Sequence, residues 1–280
     1  TELERIQNIW AGVSEDFIIY DVDVTTEDPG VDSLRRTNST DINYGIRAVI
    51  SPSSAWYGPY GGVAYVGSFN WDSDTPTFVF SDGLGNGNQK FVTDATSHEV
   101  GHTLGLYHDG RNGGGGGAAT NYYEGHGDWA PIMGVGYYRP ITQWSKGEYA
   151  LANNTEDDLS RMRQIGQFDY VADDFGDVMG TAVDISSGAT IEAYGVIDQN
   201  NDDDAFVFLT GRGDLSIDVI PAETGPDLDI LAELYNASGG LVASSDLTGL
   251  SASINVTVEA GNYYLFITGT GTGDPDTGYT

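Results

Sequence analysis

The sequence predicts an α+β domain over residues 1–165 followed by an all-β sandwich over 166–280. In the first part apolar residues recur at helical spacing in some stretches and alternate in others, so helices and strands are mixed. Beyond Gly166 the helical spacing stops. Short alternating segments then follow one another between turns rich in Gly, Pro and Asp, which is how a sandwich of short strands reads. The third observation is HEVGHTLGLYHD at 98–109, a stretch that asks for a helix and then a sharp turn.

In order, Leu3, Ile6, Ile9, Trp10, Val13 and Phe17 predict an amphipathic helix over 3–17. IIYDVDVTT (18–26) alternates Tyr20, Val22 and Val24 against Asp21 and Asp23, the pattern of a half-buried strand. After a polar, turn-rich stretch come strands at Tyr44–Ile50, Gly62–Phe69 and Thr77–Phe80. The helix bearing the first two histidines begins near Lys90, with Thr93 or Asp94 as its cap. NGGGGGAAT (112–120) is a loop with few side chains to pack, either a rim of the cleft or a plain surface insertion. Ser145/Glu148 and Thr155/Asp158 are capping-box patterns, each opening a short helix. Strands are then expected at 190–197, 205–209, 215–220, 228–235, 241–244, 254–258 and 263–268.

His98 and His102 are one helical turn apart and project from one face, so both imidazoles reach one metal ion. Glu99 lies beside them, placed to take a proton from water at the metal. Gly105 tolerates the backbone angles of a sharp turn, which brings round His108 as a third ligand. Three neutral nitrogens with an open position describe a catalytic zinc site, and no cysteine is present to build the usual closed alternatives. The fourth histidine, His126, sits between glycines and reads as a solvated loop residue.

At these residues the sequence resembles the metzincin zinc endopeptidases, whose signature is HExxHxxGxxH followed by a methionine-containing turn. The resemblance implies Met133, in APIMG, as a hydrophobic floor of the zinc site, and Glu99 as general base. It implies a twisted mixed sheet with an active-site helix, and an edge strand along the cleft. Gly62–Phe69 is the candidate edge, so Gly62, Val63, Ala64, Tyr65 and Val66 are expected to contact substrate. Several metzincins carry a tyrosine two residues after the methionine; that position is Val135 here, with Tyr137 and Tyr138 nearby. Asp109 resembles the adamalysin (reprolysin) branch, which is rich in disulfides. This chain has no cysteine, so the resemblance is to the superfamily. In the family a strand usually precedes the first helix, whereas this sequence starts at the helix; that strand is either removed with an upstream segment or kept as a separate fragment. Thr1, without a preceding Met or signal segment, reads as a processed or engineered start.

DDDAFVFL (202–209), DLDILAELYNASGGLV (227–242) and AGNYYLFITGTGTG (260–273) resemble the bacterial pre-peptidase C-terminal (PPC) domain, a jelly-roll module of secreted proteases. That family would add one more strand where this chain ends in GDPDTGYT.

The formal charge of −31, from 42 acidic against 11 basic residues, repels nucleic acid and anionic membranes. It suits plain solubility, a saline exterior, or calcium binding. Candidate calcium ligands are Asp173 and Asp174 with Asp177, Asp202, Asp203 and Asp204, and Asp227 with Asp229. The expectation is a secreted, extracellular, monomeric zinc endopeptidase acting on proteins or peptides, with calcium as a second ion. A matrix- or polysaccharide-binding protein with a relic zinc domain, and a zinc hydrolase acting on something other than peptide, stay open.

Overall fold

The first helix, α1 (Glu2–Asp16), forms where the apolar spacing puts it. Thr1 caps it: its hydroxyl accepts from the Glu4 amide while the Glu4 carboxylate reaches back to the Thr1 nitrogen. The computed structural model describes residues 1–114 and 117–271, so the middle of the glycine loop and the end of the chain lie outside the described residues. Within these bounds the chain forms two compact units, Thr1–Tyr170 and Val171 onward. Phe168 and Tyr170 belong to the first unit, where both pack against Tyr20. No described helix is long and apolar enough to cross a membrane.

In the first unit a mixed three-stranded sheet has the order β1 (Ala48–Ser51), β3 (Thr77–Phe80), β2 (Gly62–Val63). β1 runs parallel to β3 and β2 antiparallel to it, which leaves β2 at an edge. Helix α2 (Gln89–Thr103) is buried along most of its length, from Val92 to Glu99 and again at Gly101 and Thr103. Val13, Phe17, Tyr20, Leu104, Leu106, Met133 and Met162 make one core cluster; Val79, Leu84, Val92 and Ala95 make another. Two short parallel strands, β4 (Trp129–Pro131) and β5 (Ile141–Gln143), precede helix α3 (Asp158–Gly166).

Several expected elements are corrected. The alternating stretch 18–26 joins no ladder; only Tyr20 bridges Tyr170, and the Asp21 amide donates to the Asp169 carbonyl. The strand expected over 62–69 stops at Val63, because the Gly67 and Phe69 amides donate to the His102 and Thr103 carbonyls at the end of α2. Asn88 caps α2 instead of Thr93 or Asp94, after a turn through Gly85, Asn86 and Gly87, all with positive φ. The Ser145/Glu148 box does not form and opens no helix: the Ser145 hydroxyl donates to the Glu148 carboxylate at 3.1 Å and accepts from the Gly147 amide, and Gly147 takes φ +81°. The next helix is capped by Asp157, not Thr155.

In the second unit the strands are β6 (Val183–Asp184), β7 (Asp204–Thr210), β8 (Gly213–Val219), β9 (Ile230–Asn236), β10 (Leu241–Ser245), β11 (Ala252–Val258) and β12 (Gly261–Gly269). They make a five-stranded sheet, β10-β9-β12-β7-β6, and a pair, β11-β8. Inward residues of both pack into one core: Phe206, Phe208, Leu234 and Leu265 from the larger sheet, with Ala252 and Ile254 from the pair. The strand expected at 190–197 is absent, and the short β6 upstream takes the edge beside β7. The segment GDPDTGYT, where the PPC family would usually offer one more strand, lies outside the described residues.

Candidate metal centre

Helix α2 and the turn after it place three imidazoles together. One ring nitrogen from each of His98, His102 and His108 lies within 4.8 Å of the others, so the three could hold a metal ion. Gly105 makes the turn at φ +92°, and a Cβ there would meet Ile165 Cγ1 at 2.9 Å, so both backbone angle and space require glycine. His126 is elsewhere, its Nδ1 at 3.0 Å from the Tyr123 hydroxyl.

Backbone carbonyls set the ring orientations. His98 Nδ1 lies 2.9 Å from the Ile132 carbonyl, and His102 Nδ1 lies 2.9 Å from the Leu106 carbonyl. A carbonyl only accepts, so each Nδ1 carries the proton and each Nε2 keeps its lone pair for a metal. Burial pushes His98 down to about 3, with His102 adding to it, and His108 down to about 4; His102 is lowered by the same cause. The rings are thus neutral, the form that binds metal. Nε2 of His102 and Nε2 of His108 stand 3.0 Å apart, and the lone pair of the first faces the second, an arrangement that a cation satisfies. This donor set fits zinc.

Glu99 is 7% exposed and its Oε2 has no hydrogen-bond partner. Burial pushes its carboxyl up to about 8, and a cation on the adjacent histidines would pull it back down. It lies against the edge strand: a Cβ on Gly62 would meet Glu99 Cγ and Oε1 at 2.6 Å, so glycine there gives the glutamate its space.

Met133 is fully buried beneath α2, where a Cβ on Gly101 would meet its sulfur at 2.8 Å. Its carbonyl accepts from the Asp109 amide at 2.9 Å, which ties the segment after His108 to this turn. Of the expected substrate residues, Gly62 and Val63 are in the edge strand, and Ala64, Tyr65 and Val66 continue beyond it without a ladder. Tyr137 stacks on Phe91 at 4.8 Å and Tyr138 meets the same ring edge-on; neither makes a ring contact with the histidines. The aromatic residue on the site is Tyr122, 4.3 Å from His108 and 6.1 Å from His98 between ring centroids. Nothing in its sequence surroundings marks it, since it reaches the site only through the folding of its loop.

In the second unit, oxygens of Asp173, Asp177 and Asp202 converge within 4.8 Å, as do those of Asp173, Asp174 and Asp204. Asp203 belongs to neither group, and nor do Asp227 and Asp229.

No curated protein matches the chain. Among solved structures it is similar to the pre-peptidase C-terminal domain of a collagenase from Bacillus anthracis, at 20% identity and a TM-score of 0.22, over 25% of this chain and 68% of that one. A superposition this loose says nothing of the second unit's fold, which rests on its own strands. Residues 19–109, the stretch that carries the three histidines and Glu99, match the model of Metallo-peptidase family M12B, Reprolysin-like, and are in that sense similar to a reprolysin-like metallopeptidase domain.

Proposed function

We propose that the chain is a secreted zinc endopeptidase of metzincin type, with His98, His102 and His108 as ligands and Glu99 as general base. The observation that carries this reading is the convergence of three neutral imidazoles beside the buried Glu99, whose Oε2 has no hydrogen-bond partner, within residues matching a metallopeptidase family. Zinc, when bound, makes water a nucleophile near neutral pH and polarises a carbonyl. Glu99 accepts the proton that water gives up as it attacks the scissile carbonyl, then passes it to the departing amine. The peptide adds antiparallel to the free edge of β2, where Gly62 keeps the backbone close to Glu99. Met133 is the floor, and the sandwich is a PPC-like jelly roll.

A casein or gelatin digest with and without a chelator, alongside elemental analysis, tests this. Cleavage that the chelator stops, and one zinc per chain, is the expected result. One zinc without cleavage favours a binding protein or a hydrolase of other bonds; no zinc sinks the assignment.

A second ion is favoured in the sandwich unit by a separate observation. Asp202 and Asp204 are 6% and 3% exposed, and the Oδ1 of each has no hydrogen-bond partner although other carboxylates face it. Buried like charges without partners are costly unless a cation joins them. An all-oxygen set suits calcium.

A further inference from the structure

Two of the three site histidines are oriented by a carbonyl, and the third is not. His98 and His102 each direct Nδ1 at a backbone oxygen, of Ile132 and Leu106. His108 has no such bond among the described residues; its polar contact is Nε2 to Nε2 of His102, on the ligand side itself. The residue also lies three positions beyond the Gly105 turn, outside the helix that holds the other two. Without a partner at Nδ1, its ring would be free to rotate about the bond to Cβ, and ordering it on metal binding would cost conformational entropy.

A ring face supplies the constraint instead. Tyr122 lies 4.3 Å from His108 between centroids with planes tilted by 39°, closer than either neighbouring histidine ring, at 4.8 and 5.2 Å. The ring is itself held in register with His108. The Tyr123 amide donates to the Asp109 carbonyl at 2.7 Å, and the Val135 amide donates to the Tyr123 carbonyl at 2.9 Å. Arg111 and Thr120 exchange two backbone bonds of 2.9 Å, closing the base of the loop that leads to Tyr122. The segment carrying the tyrosine is therefore bonded to the residue next to the third ligand.

We propose that Tyr122 is a positioning residue for the third metal ligand, its ring face taking the place that a carbonyl takes at His98 and His102. The proposal rests on the reading of these histidines as metal ligands. It assigns the effect to the ring and not to the phenol.

The test is zinc affinity of the full-length protein, measured by competition with a chromophoric chelator, and the visible spectrum of the cobalt-substituted protein. Loss of a partner that orients a metal ligand lowers affinity by about 10–100-fold, so Tyr122→Ala and Tyr122→Leu should bind zinc about tenfold more weakly or worse. Their cobalt bands should shift or broaden. Tyr122→Phe should match the unsubstituted protein in both. Two variants of different bulk guard against a folding defect in one of them, and far-UV circular dichroism checks each. Alanine and leucine variants with unchanged affinity and spectra would overturn the proposal. So would a phenylalanine variant as weak as alanine, which would assign the effect to the hydroxyl. An unsubstituted protein that binds no zinc would sink the metallopeptidase reading itself, a different result from zinc binding that ignores Tyr122.

Discussion

The histidine cluster of the first unit and the aspartate cluster of the second are both made of groups that a cation satisfies, but they are held differently. His98 and His102 have their Nδ1 atoms bonded to carbonyls of buried, packed segments, and neutral rings do not repel one another. Asp202 and Asp204 bring carboxyls into a buried position beside Asp173, Asp174 and Asp177, with one oxygen of each unbonded, and burial, with the neighbouring carboxylates adding to it, pushes them up to about 6 and about 7. The first arrangement can keep its shape without metal, because the protein supplies the partners. The second leaves a buried oxygen of each of these two carboxyls without a donor, so a cation there would contribute stability more than chemistry. A preorganised site and a charge-relief site should therefore fail in opposite ways.

The largest effect separates chemistry from binding at the first site. Glu99 touches the edge strand and not the ring nitrogens, so Glu99→Ala should leave zinc content at one per chain. Turnover on a peptide substrate should fall by roughly a hundredfold or more, the usual loss for a positioned acid–base group. Near-normal turnover in the variant would place the base on another residue.

The second effect is on stability and belongs to the aspartate cluster. A cation that binds only the native state stabilises it by about 2.7 kcal/mol at a hundred times its dissociation constant. Millimolar calcium should therefore raise the melting transition of the sandwich, and magnesium at the same ionic strength should raise it less. Asp204→Asn should abolish the difference between the two ions. A transition that ignores calcium, or an Asp204→Asn protein that still responds, would leave the acidic surface as a solubility device.

How much of this was legible in the sequence follows the same division. The zinc-type cluster was readable because its spacing is local: one helical turn sets His98 and His102, and Gly105 turns the chain to His108. The alternating strands from 204 to 269 were also readable, since a half-buried strand repeats every two residues. The stretch 18–26 alternates equally well yet forms no ladder, because Asp169 and Tyr170, distant in sequence, are its partners. The edge strand was overextended for a similar reason. Gly67 and Phe69 bond to the end of α2, and no local pattern encodes that competition. Tyr122 and the Ile132 and Leu106 carbonyls escaped notice because they reach the histidines through loop closure. The absence of cysteine pointed away from the reprolysin branch, but the matched stretch ends at Asp109 and needs no disulfide to be recognised.

The smallest effect tests whether a buried carboxylate with a partner behaves differently from one without. Asp16, at the end of α1, is 4% exposed and bonded to the hydroxyl of Ser97, the residue before His98. Burial holds its carboxyl well above the usual range; the Ser97 bond works against this, Asp94 adds to it, Lys90 opposes it and Glu15 adds a little. Its native pKa is thus higher than its unfolded value of about 3.9. The native state binds this proton more tightly, so its contribution to stability is full below the unfolded value and is lost as pH rises through the raised native value. At neutral pH and above, Asp16→Asn removes the burden of a buried charge while keeping a carbonyl oxygen to accept from Ser97. The variant should therefore melt higher than the unsubstituted protein at pH 8, and the gap should close as pH falls toward 4. Each kcal/mol gained would appear as about 2–4 °C in a unit of this size. A variant that melts lower at pH 8 would mean that the Ser97 bond needs the full carboxylate. The support beneath the first two ligands would then depend on charge, as the aspartate cluster does, and the contrast between the two regions would narrow.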